Sequence, residues 1–143
     1  MALGAAAVIL VSGTAGCTSA PEVALAPSAG APACVGAPWP GTVSGHERVA
    51  TAPESPSVAA WGDPAIIARC GLPALTPTTL ECVTVNGVDW VVRELSDGTA
   101  ATTYGTDPAI EVLVPRTYGP VPLLLPAFEA AAEALPDNGR TCL

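Results

Sequence analysis

Glu81-Cys82-Val83-Thr84-Val85-Asn86-Gly87-Val88-Asp89-Trp90-Val91-Val92-Arg93 is the stretch that decides the fold. Asn-Gly between two β-branched runs is the strongest short-range hairpin signal, because a type I′ turn needs positive φ at both central residues. Pairing Val85 with Val88 sets the register. Counting outward, Val83, Val85, Val88, Trp90 and Val92 share one face, while Thr84, Asp89 and Arg93 share the other. The first is the core face and buries Trp90. Cys82 falls opposite Val91 on the more polar face.

Downstream, Ser96-Asp97-Gly98 reads as a turn into a strand over 99–104, and residues 105–108 turn into a further strand over 109–114. Ile110, Val112 and Val114 share a face there, and Pro115 ends the strand because it cannot donate to a ladder. Over 123–135, Leu124, Phe128, Ala131, Ala132 and Leu135 recur at helical spacing with Glu129 and Glu133 opposite, which predicts an amphipathic helix. Pro126 limits its first turn and residues 136–139 stop it. Upstream, Val58-Ala59-Ala60-Trp61, a Gly62-Asp63-Pro64 turn and a strand over 65–70 continue the pattern. Residues 34–57 read as loop, with at most one helical turn near 33–37. The expected fold class is α+β: an antiparallel β-meander of four to six short strands, disulfide-stapled, with the C-terminal helix packed on one face. A pure β-sandwich is the alternative, and it fails if that helix is real.

The first sixteen residues carry no charge and run Ala5-Ala6-Ala7-Val8-Ile9-Leu10-Val11 before small residues and Cys17. This apolar run is too short to span a bilayer and reads as a secretory signal peptide. Thr14-Ala15-Gly16-Cys17 resembles the bacterial lipobox, in which the Cys is lipidated and becomes the new N-terminus. The cysteine count fits that reading: five is odd, and lipid on Cys17 leaves Cys34, Cys70, Cys82 and Cys142 free to pair. Three connectivities are open. The pairing favoured here is Cys70 with Cys82, closing a loop that carries Pro73 and Pro77, and Cys34 with Cys142, tying the domain ends. The chain then divides into a lipoprotein-type signal peptide (1–16), lipidated Cys17 with an Ala/Pro-rich tether (17–33), and one domain (34–143).

Composition excludes some functions. Five Arg, no Lys and thirteen Asp or Glu give a net charge of -8. No basic cluster exists to release counterions from nucleic acid, which is excluded as a partner. Half the residues are hydrophobic, but 27 are Ala and only six are aromatic, so the apolar fraction overstates the core. No C-x-x-C spacing occurs and the single His is His46, so neither a metal site nor any other cofactor is expected. His46, in Gly45-His46-Glu47-Arg48, reads as an exposed loop residue rather than a general base, and no catalytic residue is assigned. Carboxylates such as Asp63, Asp107 and Glu111 could converge in space, but on an acidic protein they read first as solvated surface.

One phrase occurs twice: Trp61-Gly62-Asp63-Pro64-Ala65-Ile66 and Tyr104-Gly105-Thr106-Asp107-Pro108-Ala109-Ile110. The plain reading is that Asp at a turn and Pro with preset φ each launch a strand. The functional reading needs both turns at one end of the sheet, where Trp61, Asp63, Tyr104 and Asp107 would form an acidic, aromatic rim for a small ligand or cation.

Together with Arg69-Cys70-Gly71, Leu72-Pro73, Val85-Asn86-Gly87-Val88-Asp89-Trp90 and Tyr104-Gly105 to Val114-Pro115, the first copy of this phrase resembles an actinobacterial family of exported proteins, domain of unknown function 3515. The resemblance implies a small envelope lipoprotein or secreted domain with paired cysteines, and assigns no activity. The leading expectation is a non-enzymatic module held to the outer face of the cell membrane by lipid on Cys17, binding an envelope protein or glycan. The alternatives are the small-ligand or cation rim and, third, an envelope hydrolase; a secreted form is the alternative to the anchored one.

Overall fold

The computed structural model describes residues 19–143. Eight antiparallel strands form one sheet: β1 (Thr42–Val43), β2 (His46–Val49), β3 (Val58–Trp61), β4 (Ile66–Leu72), β5 (Glu81–Val85), β6 (Val88–Glu94), β7 (Gly98–Thr103) and β8 (Ala109–Pro115). Their order is β1-β2-β3-β4-β8-β7-β6-β5. Two four-strand meanders therefore meet at β4 and β8, where the expectation was one meander of four to six strands. The hairpin that decided the fold pairs Val85 with Val88, Val83 with Trp90 and Cys82 with Val91, as read. Asn86 and Gly87 both have positive φ. Trp90 is fully buried, with Val83, Val85 and Val92 packed against the same cluster.

The added strands are β1 and β2, which the prolines and glycines around them read as loop. Ser44 and Gly45, both at positive φ, turn one strand into the other. Val43 is buried although its strand is two residues long. Alternation over two residues leaves no periodic signal to find. The short helix α1 (Pro32–Val35) occupies the place expected for a helical turn.

On one face, called here the core face, β3, β4, β8 and β7 present Ala59, Ala68, Val112 and Ala101 in register. All four are buried. Small side chains in that row let the C-terminal segment approach the sheet closely, which is the structural use of much of the alanine. Val121, Leu124, Leu125, Phe128, Ala131, Ala132 and Leu135 close over this face. Phe128 meets Trp61 edge-on, ring centroids 5.3 Å apart. The helical spacing thus marked the buried side correctly, but not one long helix. Three 3₁₀ turns (Arg116–Tyr118, Val121–Leu123, Leu125–Phe128) precede a short α2 (Glu129–Glu133). Pro120, Pro122 and Pro126 lack the N–H groups an α-helix would need, so the chain tightens into 3₁₀ turns until the prolines are passed.

Disulfides join Cys34 to Cys70 and Cys82 to Cys142, with Cα atoms 5.2 and 5.7 Å apart. This corrects the favoured connectivity. Cys70 lies on the core face of β4 beside Ile110, whereas Cys82 lies on the opposite face of β5. Three strands intervene, so about 19 Å separates them, far beyond the span of a disulfide. Closing loops of 36 and 60 residues, each bridge contributes about 4 kcal/mol through the unfolded chain.

The opposite, outer face is also covered. The segment read as a tether packs against it from Pro21 onward. Val23 N–H donates to the Ala52 carbonyl at 2.9 Å, Ala52 N–H donates to that of Pro21 at 3.0 Å, and Ser28 N–H donates to that of Gly71 at 2.9 Å. Val23 and Ala26 are buried. Gly71 has φ +115°, and a Cβ there would overlap the backbone of Ser28 and Ala29. Beneath the strap, Arg69 Nε lies 3.0 Å from Glu111 Oε1 across the β4–β8 pair, and its Nη1 donates to the Ala24 carbonyl at 3.3 Å. Arg93 approaches the other Glu111 oxygen at 4.0 Å.

Peptide mapping without reduction is expected to return the Cys34–Cys70 and Cys82–Cys142 linkages; a Cys70–Cys82 peptide would contradict the strand order. Gly71→Ala should cost about 2 kcal/mol in urea unfolding, because both its φ and the strap must shift. Glu111→Ala should cost a similar amount, about 2 kcal/mol, by leaving Arg69 without its partner. Wild-type stability in either variant would mean that the strap or the ion pair is not part of the folded unit.

Candidate binding surface

The strand directions divide the sheet into two ends. At one, here the proximal end, lie the β3–β4 turn at 62–65, the β6–β7 turn at 95–97 and the exit from β8 at 116–118; at the other, the distal end, lie Asn86-Gly87 and the β7–β8 turn at 104–108. The two Asp-Pro phrases are thus a strand length apart, about 20 Å. Each launches a strand, β4 or β8, as the plain reading had it.

Trp61, Asp63, Tyr104 and Asp107 therefore do not form a rim. Trp61 is fully buried and its indole N–H donates to the Pro40 carbonyl at 3.0 Å. Asp63 is exposed at the proximal end, whereas Tyr104 and Asp107 sit at the distal one. The alternation that makes Trp61 a core residue runs over only four residues, all buried, so nothing in the sequence separated it from a surface aromatic. His46 is in β2 rather than a loop, half-buried, with its ring edge-on to Tyr118 at 4.9 Å. Glu111 is buried on the outer face rather than solvated.

Of these residues Asp63 borders a cleft at the proximal end and Tyr104 lines one at the distal end, where the charged side chains gather. The distal cleft, about 290 Å³, opens between the hairpin tip, the β7–β8 turn and the C-terminal segment. Asp89, Glu133, Asp137 and Arg140 supply its charge. Asp89 accepts from Thr84 Oγ1 at 2.6 Å and from Cys142 N–H at 2.7 Å, so it fastens the chain end. Asn138 N–H donates to the Gly105 carbonyl at 2.9 Å and Asp107 N–H to that of Pro136 at 3.0 Å, which fixes the opposite wall. The Arg140 carbonyl sits where a Gly105 Cβ would be. Arg140 Nη1 donates to the Leu75 carbonyl, and the carboxylates of Asp89, Glu133 and Asp137 outnumber its single positive charge in the cleft. An acidic cleft with a tyrosine on its wall suits a ligand that presents hydrogen-bond donors or a positive charge.

Sequence reasoning had no route to Glu133, Asp137 and Arg140 as cleft residues. Their position depends on the fold-back of residues 136–142 along the β7–β8 turn, and the signal for that was the Cys142 pairing, which the chain alone leaves open. No group of three or more His, Cys, Asp or Glu side chains among the described residues is placed to hold a metal. No helix among them is long and apolar enough to cross a membrane. The expected signal peptide (1–16) and the expected lipidation site Cys17 lie outside the described residues.

Compared with known proteins, the chain matches no curated protein and no solved structure. It does match one family model, described as Protein of unknown function (DUF3515), over residues 1–138. That span takes in all eight strands and the distal cleft apart from Arg140 and Thr141, and it agrees with the phrases that carry the resemblance. The chain belongs to the DUF3515 family.

Proposed function

We propose that this is a non-enzymatic binding module of the cell envelope, held to the outer face of the cytoplasmic membrane by lipid on Cys17 and presenting its distal cleft to an envelope protein or glycan. The observation that carries the reading is the separation of the two ends. Ser19, two residues after Cys17, lies beside the β3–β4 turn at the proximal end, and the cleft opens at the other. An anchored chain so arranged keeps its binding surface away from its attachment. Two disulfides support an oxidising, extracytoplasmic setting, since glutathione and thioredoxin keep cytosolic thiols reduced. The lipobox-like Thr14-Ala15-Gly16-Cys17 supports the anchor, and the odd fifth cysteine is then accounted for.

His46 and the cleft carboxylates stand at opposite ends of the sheet, so the chain's only histidine takes no part in the cleft. Binding through the cleft rests on exposed Glu133 and half-buried Tyr104 as its walls and on Asp89 as the residue that keeps the walls together.

A photo-crosslinking residue at Thr106, on the cleft, is expected to give a discrete adduct in intact cells that is lost in Glu133→Lys, while the same residue at Thr99 gives none. Equal adducts at the two positions, or an adduct indifferent to Glu133→Lys, would refute binding through the cleft. Intact mass of the membrane-derived protein should show a lipidated chain beginning at Cys17 that gains four alkyl groups only after reduction. An unlipidated chain would refute the anchor.

A further inference from the structure

Lipid on Cys17, the reading on which this inference rests, leaves only Thr18, Ser19 and Ala20 before Pro21, and Pro21 already belongs to the fold through its backbone pairing with Ala52. Four Cα steps reach at most about 14 Å. The headgroup layer is itself about 5–8 Å deep. Even fully extended, a tether that short lifts the proximal end no more than about 6–9 Å past the headgroups, and any bend brings it down onto them.

The surface at that end is suited to contact. Ser19, Ala20 and Pro21 form one wall of a cleft of about 450 Å³ whose other wall is Val49, Ala50 and Ala65. Ala65 also borders a second cleft, about 420 Å³, lined by Ile67, Leu95, Leu113 and Pro115. Val49, Ile67 and Leu113 are outer-face side chains only partly covered there: Ile67 and Leu113 are half-buried and Val49 is 38% exposed. The charges around the two clefts are Asp63, Asp97 and Arg116, and Arg116 gives its guanidinium to the carbonyls of Leu95 and Ser96.

We propose that these two adjoining clefts are the membrane-apposed surface of the lipidated protein: the domain lies on the bilayer interface, with the distal cleft turned away from it. The contact need not be strong. A covalent anchor a few residues away holds the surface at an effective concentration in the millimolar range, so a modest apolar contact is occupied most of the time. The net charge of -8 opposes approach to anionic lipid. Contact is therefore closest on zwitterionic vesicles, and on anionic ones it strengthens as salt screens the repulsion.

The test is amide hydrogen exchange of the full-length lipidated protein in phosphatidylcholine vesicles, against the Cys17→Ser protein in buffer. Exchange over residues 62–66 and 115–119 is expected to slow by about tenfold on the vesicles, with residues 86–88 and 104–107 unchanged. A flexible Gly/Ser insert of about twenty residues after Thr18 should abolish most of that slowing while mass still shows the lipid. Lipidated protein whose proximal segments exchange as fast as the lipid-free form, or whose distal turns are the ones protected, overturns the proposed surface and leaves the anchor standing. A chain without lipid on Cys17 overturns both.

Discussion

The pairing of β4 with β8 holds the rest of the molecule together. It joins segments some forty residues apart in sequence, Ile67 to Leu113, Ala68 to Val112 and Arg69 to Glu111, and so carries a loop-closure cost that neither meander bears alone. Each face of the pair offsets it differently. On the core face Ile66, Ala68 and Cys70 meet Ile110, Val112 and Val114, all buried, and Cys70 extends the contact to α1 through its disulfide. On the outer face the Arg69–Glu111 ion pair sits under the N-terminal strap and fastens it through Ala24. Without this pairing β1–β4 and β5–β8 would be two separate meanders, each with an uncovered face.

How much of this was legible follows from the range of each interaction. The β5–β6 hairpin, its register and the burial of Trp90 were readable because Asn86-Gly87 and the alternating valines act within thirteen residues. The buried side of the C-terminal segment was readable for the same reason, although Pro120, Pro122 and Pro126 divide it into short turns. Features set by distant strands were not. The disulfide partners depend on which face of which strand each Cys occupies, and that follows from the β4–β8 crossover. The strap was misread because a run of Ala, Pro, Ser and Gly has the composition of a linker, and only the groove left by Gly71 and the acceptor at Ala52 make it structural. The same holds for the site. Tyr104 stood out as part of a repeated phrase, but its neighbours in space, Asp89, Glu133 and Asp137, come from two other parts of the chain, β6 and the C-terminal segment.

Both faces of the sheet are consequently occupied, one by the C-terminal turns and the other by the strap and the chain end. The surfaces left for function are the two ends. The proximal end is where the described chain enters, with apolar clefts around Ala65; the distal end holds a rigid acidic cleft fixed by the Cys82–Cys142 bridge and Asp89. In the proposed anchored form, a polarity of this kind, built into a fold that begins at Pro21, four residues after Cys17, would tie orientation at the membrane to the fold itself rather than to a linker.

The account therefore stands on the strap being part of the fold. Its most direct test is residue-resolved amide exchange at Val23 and Ser28, whose N–H groups donate to Ala52 and Gly71. Exchange slowed to the level of neighbouring sheet amides is the predicted result. Exchange at the rate of a free peptide would return residues 19–31 to a flexible tether and contradict the account.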